Sequence, residues 1–91
     1  MVFRPEEVDA FKKIFAESCE LIRASDGCEY LELVQDVNDP AIFFTISIWR
    51  DPDDLLNYRN SELFGRTWKA TKALFAAKPE VWSTDVIREL P

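Results

Sequence analysis

Tyr58 is the residue in this chain best suited to chemistry. A phenol held away from water donates a hydrogen bond to a substrate oxygen, or to an oxyanion once the substrate has lost a proton. Upstream of it, Trp49 closes an apolar run, Ala41–Asp51, read AIFFTISIWRD. An indole there can stack on a substrate ring, or wedge the next helix against a sheet. Thr45 and Ser47 are small hydroxyls on the same greasy strand. They can bond a ligand inside a cavity or face a second copy of the chain. Downstream, Phe64, Trp68 and Phe75 add flat rings. Such a set would hold a flat aromatic molecule and keep water from it. Each ring taken singly serves equally well as core packing, and Tyr58 could instead turn its hydroxyl to the surface.

Other chemistries find little support. The chain has no histidine. That excludes a histidine general base, a Ser-His triad, and imidazole ligation of zinc or haem. Asp51, Asp53 and Asp54 form an acidic run, but it lacks the glycine and distal glutamate of a calcium loop. Helix capping accounts for it, so no metal is expected. Arg50 suits a substrate carboxylate or phenolate, or one of its acidic neighbours, Asp51 or Asp54. No Gly-rich phosphate loop or dinucleotide fingerprint is present. No bound cofactor is expected, neither nicotinamide nor flavin.

Composition sets the frame. The 91 residues are 47% hydrophobic and 13% aromatic, with only two glycines, which fits a folded globule rather than disorder. One domain, 1–91, is expected. A domain of this size buries only about 60–65% of its unfolded surface, so extra buried area from a second copy would help it. The net charge is −6, with 11 basic residues scattered among 17 acids. Clustered phosphate-neutralising cations are missing, which argues against nucleic acid and against an anionic membrane surface. Cys19 and Cys28 read as two buried thiols in a reducing compartment. There is neither a signal-peptide pattern nor an 18-residue apolar run. The cytoplasm is the expected location.

The elements that must position the site follow from pattern. Met1–Arg4 reads as the tail of a strand, and Met1 as an internal methionine if the native start lies upstream. Pro5, Glu6 and Glu7 suit a helix start. Val8, Phe11, Phe15, Ser18 and Ile22 then trace one helical face, widened by Ile14 and Leu21. Gly27 is a left-handed terminator. Cys28–Val37 reads as a strand with Cys28, Tyr30, Glu32 and Val34 on one side, and Glu29, Leu31, Leu33 and Gln35 on the other. Asn38-Asp39-Pro40 turns the chain into the central strand. Its two rows are Ile42, Phe44, Ile46, Ile48 and Phe43, Thr45, Ser47, Trp49. Both are apolar, so alternation leaves open which row meets the helices. Asp51-Pro52 starts a short helix, and Ser61 caps another that carries Leu63, Phe64, Thr67, Trp68, Thr71, Leu74 and Phe75. Val81–Leu90 reads as the last strand.

The expected order is β-α-β-β-α-β, an α+β, ferredoxin-like arrangement with an antiparallel sheet. A strand apolar on both faces needs cover on both. Helices supply one layer, and a second copy of the chain would supply the other, face to face across a two-fold axis.

With these pieces in order, the chain resembles the antibiotic biosynthesis monooxygenase (ABM) domains of the dimeric α+β barrel superfamily. The resemblance rests on Phe3–Phe11 (FRPEEVDAF), Gly27-Cys28, the strand ending in Trp49-Arg50-Asp51, the Leu55–Tyr58 helix and Asn60–Phe64 (NSELF). It covers essentially the whole chain. It implies a homodimer and a pocket between sheet and helices, lined by Thr45, Ser47, Trp49, Asn57, Tyr58, Asn60, Phe64 and Trp68. Family members include oxygenases that act on quinols with molecular oxygen and no cofactor, and others that degrade haem. Trp49 matches the tryptophan that commonly ends the third strand. Thr45 stands where some polyketide-oxidising members carry asparagine, and Tyr58 where many carry histidine. The haem-binding helix histidine would fall near Trp68 and is missing.

The functional expectation is therefore a cytoplasmic monooxygenase, an oxidoreductase acting on a small aromatic molecule. Tyr58 and Trp49 are the catalytic candidates, and Thr45, Ser47, Asn57, Asn60, Phe64 and Trp68 are the substrate-binding ones. The rival is a non-catalytic dimer of the same fold that binds or senses a small hydrophobic ligand. An isomerase on the same scaffold is a weaker third.

Overall fold

Three phenylalanines from distant parts of the chain fix where the core sits. In the computed structural model, which describes residues 1–91, Phe3, Phe11 and Phe43 are each at most 2% exposed. The rings of Phe3 and Phe11 stack at 4.1 Å, and Phe43 meets Phe11 edge-on at 5.1 Å. Val8, Phe15, Leu33, Leu74 and Phe75 pack around them.

The helix that carries Phe11 forms as its stripe predicts. Pro5–Glu7 makes one 3-10 turn, and α1 then runs Val8–Arg23. It buries Phe11, Ser18 and Ile22. The Ser18 hydroxyl is satisfied by donating to the Ile14 carbonyl at 2.7 Å. Gly27 ends the turn after α1 at φ 82°, a region other residues avoid.

Two antiparallel strands follow, β1 (Cys28–Gln35) and β2 (Phe43–Trp49). The turn between them is held by the Asp36 carboxylate, which accepts the Asn38 and Asp39 amides. The register pairs Leu33 with Thr45, Leu31 with Ser47 and Tyr30 with Ile48. A bulge between Cys28 and Tyr30 then sets Cys28 opposite Trp49. This corrects the simple alternation expected for β1. Cys28 lies on the Trp49 side and is buried, whereas Tyr30 lies on the Ile48 side and is exposed.

The structure also settles which row of β2 meets the helices. Phe43 enters the core and Trp49 packs on the following helix, so Phe43, Thr45, Ser47 and Trp49 face inward. Phe44, Ile46 and Ile48 form the outer row and stay about half exposed. Tyr30 joins them, its hydroxyl hydrogen-bonded to the Glu32 carboxylate.

After β2 come α2 (Pro52–Arg59) and α3 (Glu62–Lys72). Asp51 caps α2 by accepting the Asp53 and Asp54 amides, and Ser61 caps α3 by accepting from Phe64 at 3.1 Å. α3 stops at Lys72, so Leu74 and Phe75 leave the helix expected to hold them. Phe75 instead bridges to Phe3, and Val2 bridges to Ile42. These bridges stand where the first and last strands of the β-α-β-β-α-β order belong. The fold is thus α+β with an antiparallel sheet, but the strand expected at Val81–Leu90 does not form. Residues 77–91 carry neither helix nor strand. Alternation is present there, yet a strand needs an edge to pair with.

Candidate functional site

The β2–α2 corner is locked before any ring is placed. The Arg50 guanidinium grips the Asp54 carboxylate with two bonds, of 2.9 and 3.0 Å. Arg50 also donates its amide to the Gly27 carbonyl at 2.8 Å. Of the partners open to Arg50, Asp54 is the one chosen, and it is 7% exposed. A side chain at Gly27 would overlap the Asp54 carboxyl group. Glycine is thus needed both for its positive φ and for this close approach. Replacing Arg50 with alanine should lower stability by leaving the buried Asp54 carboxylate without its partner, though less than for a wholly enclosed pair because water reaches the guanidinium. Urea unfolding of Arg50→Ala measures it. Arg50→Met combined with Asp54→Leu should recover part of the loss, since no buried charge is then left unpaired.

This corner fixes α2 so that Tyr58 stacks on Trp49, with ring centroids 5.2 Å apart and planes within 26°. From there a continuous row of rings crosses α2 and α3. Tyr58 meets Phe64 edge-on at 5.3 Å. Phe64 stacks on Trp68 at 5.9 Å, and Trp68 meets Phe75 at 5.5 Å. Phe75 then joins the core through Phe3. The row places neighbouring rings in the offset and edge-on geometries that aromatic quadrupoles prefer.

The strand that carries Trp49 also carries two hydroxyls on its inward face. The Trp49 indole N–H donates to Ser47 Oγ at 3.0 Å, tying one hydroxyl to the row. Thr45 sits on the same inward face. Both Thr45 and Ser47 remain exposed, so the helices cover the ends of this face and leave its middle open. Of the expected site residues, Trp49, Tyr58, Phe64 and Trp68 form one row of rings, Ser47 is hydrogen-bonded to it, and Thr45 shares the inward face of the strand. Asn57 and Asn60 do not join the row through any side-chain hydrogen bond. Both are exposed, and Asn60 serves as the C-cap of α2. Cys28 lies beside Trp49, a placement hidden from the sequence by the bulge. Grooves of about 470 and 340 Å³ elsewhere, along α1, include neither Tyr58 nor Trp68.

Burial raises the Tyr58 pKa above its ordinary 10.0, and the nearby Cys28 thiol adds to the effect. The phenol is therefore a neutral donor at physiological pH. Tyr30 is raised too, chiefly because its hydroxyl is engaged by Glu32. These are the only two tyrosines, so absorbance at 295 nm should show both phenols titrating with midpoints above the ordinary 10.0. Above that pH the unfolded Tyr58 loses its proton while the folded one keeps it. Stability should fall as pH rises through this window, and less steeply in Tyr58→Phe.

Cys19 and Cys28 are free thiols. No group of three or more His, Cys, Asp or Glu side chains is placed to hold a metal. No helix is long and apolar enough to cross a membrane.

A sequence model described as antibiotic biosynthesis monooxygenase matches residues 1–70. The chain belongs to the antibiotic biosynthesis monooxygenase family. Solved structures agree. A crystal structure of an antibiotic biosynthesis monooxygenase is 25% identical, with a TM-score of 0.89 over 96% of this chain and 92% of that one. PA3566 from Pseudomonas aeruginosa is 28% identical, with a TM-score of 0.74 over 85% of this chain and 78% of its own. Rv0793 from Mycobacterium tuberculosis shares the fold at 17% identity, with a TM-score of 0.81 over 96% and 91% of the two chains. No match was found among curated proteins.

Proposed function

We propose that this ABM-family chain is a cofactor-independent monooxygenase for a small aromatic, quinol-type substrate. The observation that carries this reading is the aromatic row from Trp49 to Trp68, tied through the Trp49 indole to the Ser47 hydroxyl. A flat substrate stacks on these rings. The Tyr58 hydroxyl, kept protonated by burial, donates to the substrate oxygen and stabilises the anion. Trp49 and Tyr58 are the groups that touch the reacting ring; Thr45, Ser47, Phe64 and Trp68 orient it. Asn57 and Asn60 act only at the outer rim of the site.

The substrate supplies the electrons. One atom of O2 enters the product as a carbonyl oxygen, and the other leaves as water with two hydrogens from the substrate, one from the ring carbon attacked and one from its hydroxyl. The inward face offers hydroxyls and rings but neither imidazole nor carboxylate, so the substrate ionises by its own acidity. Residues 1–91 act as one domain in the cytoplasm, where free thiols persist. Two copies associate through the outer row, Tyr30, Val34, Phe44, Ile46 and Ile48, which is too apolar to be left to water.

The same lack of a base favours one rival, a dimer that binds or senses an aromatic ligand without turning it over. Oxygen uptake with a panel of quinols and anthrone-like phenols separates the two. Uptake well above the uncatalysed rate supports the oxygenase. Quenching of tryptophan fluorescence without uptake supports the binding protein and overturns the enzyme.

A further inference from the structure

Gly65 sits inside α3 with no reason for it in its own chain. Its φ is not positive, and a Cβ placed there would meet nothing within 4 Å. Its amide is spent on the helix, donating to the Ser61 carbonyl at 3.1 Å. Glycine weakens a helix relative to alanine, so what the missing side chain supplies here is space. Gly65, Trp68 and Lys72 follow spacings of three and four and line one face of α3. Along the axis that face presents a gap, then an indole, then an ammonium group, about 10 Å from first to last. Trp68 belongs to the aromatic row and is only half-buried.

The charge on this helix is unlike that of the chain. Between Leu63 and Pro79 stand Arg66, Lys69, Lys72 and Lys78 and no acid, whereas Asp26–Asp54 carries eight acids against Arg50 alone. Arg4 and Arg50 are the cations with an ion-pair partner, while Lys69 and Lys72 are exposed and have none. Arg66 lines the groove along α1, which leaves Lys69 and Lys72 as the charges beside Trp68. Both also lie in the last turn of α3, where cations suit the helix dipole. The dipole accounts for their sign but not for the gap one turn before the indole.

We infer that the aromatic row takes an aromatic acid, whose rings enter the gap at Gly65 against Trp68 and whose carboxylate lies at Lys72 and Lys69. This rests on the aromatic-site reading above and adds the charge of the ligand to it. The row runs Tyr58, Phe64, Trp68, so a ligand lying along it has Tyr58 at one end and Lys72 at the other. Its hydroxyl and its carboxylate therefore belong at opposite ends of the ring system.

Calorimetric titration of the full chain with 6-hydroxy-2-naphthoate and with 2-naphthol compares ligands that differ only by the carboxylate. The acid should bind about 5-fold more tightly at low ionic strength, and the preference should fade at about 1 M salt. Lys69→Gln with Lys72→Gln should bring the two affinities level, by a loss confined to the acid. Gly65→Leu fills the gap with a better helix former. It should raise the thermal midpoint yet weaken both ligands several-fold. Equal affinities in the unsubstituted chain, or a preference that survives the double substitution, overturn the charge assignment while the aromatic site stands. Gly65→Leu with both affinities unchanged overturns the seat at the gap. Binding of neither ligand removes the aromatic-site reading, and the aromatic acid falls with it.

Discussion

Phe43→Ala should cost about 3–5 kcal/mol of folding stability. Phe43 is 2% exposed and meets both Phe3 and Phe11 ring to ring. Its removal strips contacts from the N-terminal segment, α1 and β2 at once, and three rigid rings cannot collapse to fill the gap. A domain of this length holds roughly 5–14 kcal/mol in total, so the variant would lose a large share of it. Urea unfolding measures the effect as a lower midpoint with an unchanged slope. Leu56→Ala is the matched control. Leu56 is 56% exposed on α2, and its truncation should change stability by only about 0.5 kcal/mol. Equal losses in the two variants would mean that the three phenylalanines are not the centre of the core.

Local signals in the sequence were read correctly wherever one residue decides one feature. Asp51 before Pro52 and Ser61 before Phe64 cap their helices because a short side-chain oxygen reaches free amides within the same turn. Gly27 turns the chain into β1 with its positive φ, beyond the end of α1 at Arg23. The α1 stripe held because a period of 3.6 residues over 16 positions leaves few alternatives. The failures are of another kind. Cys28 changed faces because a single bulged residue reverses parity, and nothing in the composition of β1 marks it. The two rows of β2 could not be told apart because both are apolar, and only the burial of Phe43 with Phe3 and Phe11 decides between them. Val81–Leu90 has the pattern of a strand but none of the hydrogen bonds, since pairing depends on an edge supplied from elsewhere. The site shows the same division. The four rings line up because strand parity and helix spacing set them side by side, whereas Asn57 and Asn60 lie exposed, since adjacent residues on a helix point in different directions.

Tyr58→Phe should lower kcat on a quinol substrate by about 10²–10³-fold while leaving KM within a few-fold. The ring survives the change, so stacking on Trp49 at 5.2 Å is retained and the substrate still finds its wall. Only the hydroxyl is lost, and its hydrogen bond matters most when the substrate oxygen carries full negative charge. Trp68→Ala should behave in the opposite way. It removes a flat wall that grips substrate and transition state alike, which raises KM more than it lowers kcat. The pH profile divides the roles further. Burial raises the Tyr58 pKa above its ordinary value, so it contributes no ionisation at neutral pH. The rising limb of the rate should therefore shift with the acidity of each quinol in the panel rather than hold at one value for the enzyme. A fixed midpoint across substrates would mean that a protein group takes the proton, and the assignment of Tyr58 as a neutral donor to a self-ionising substrate would fail.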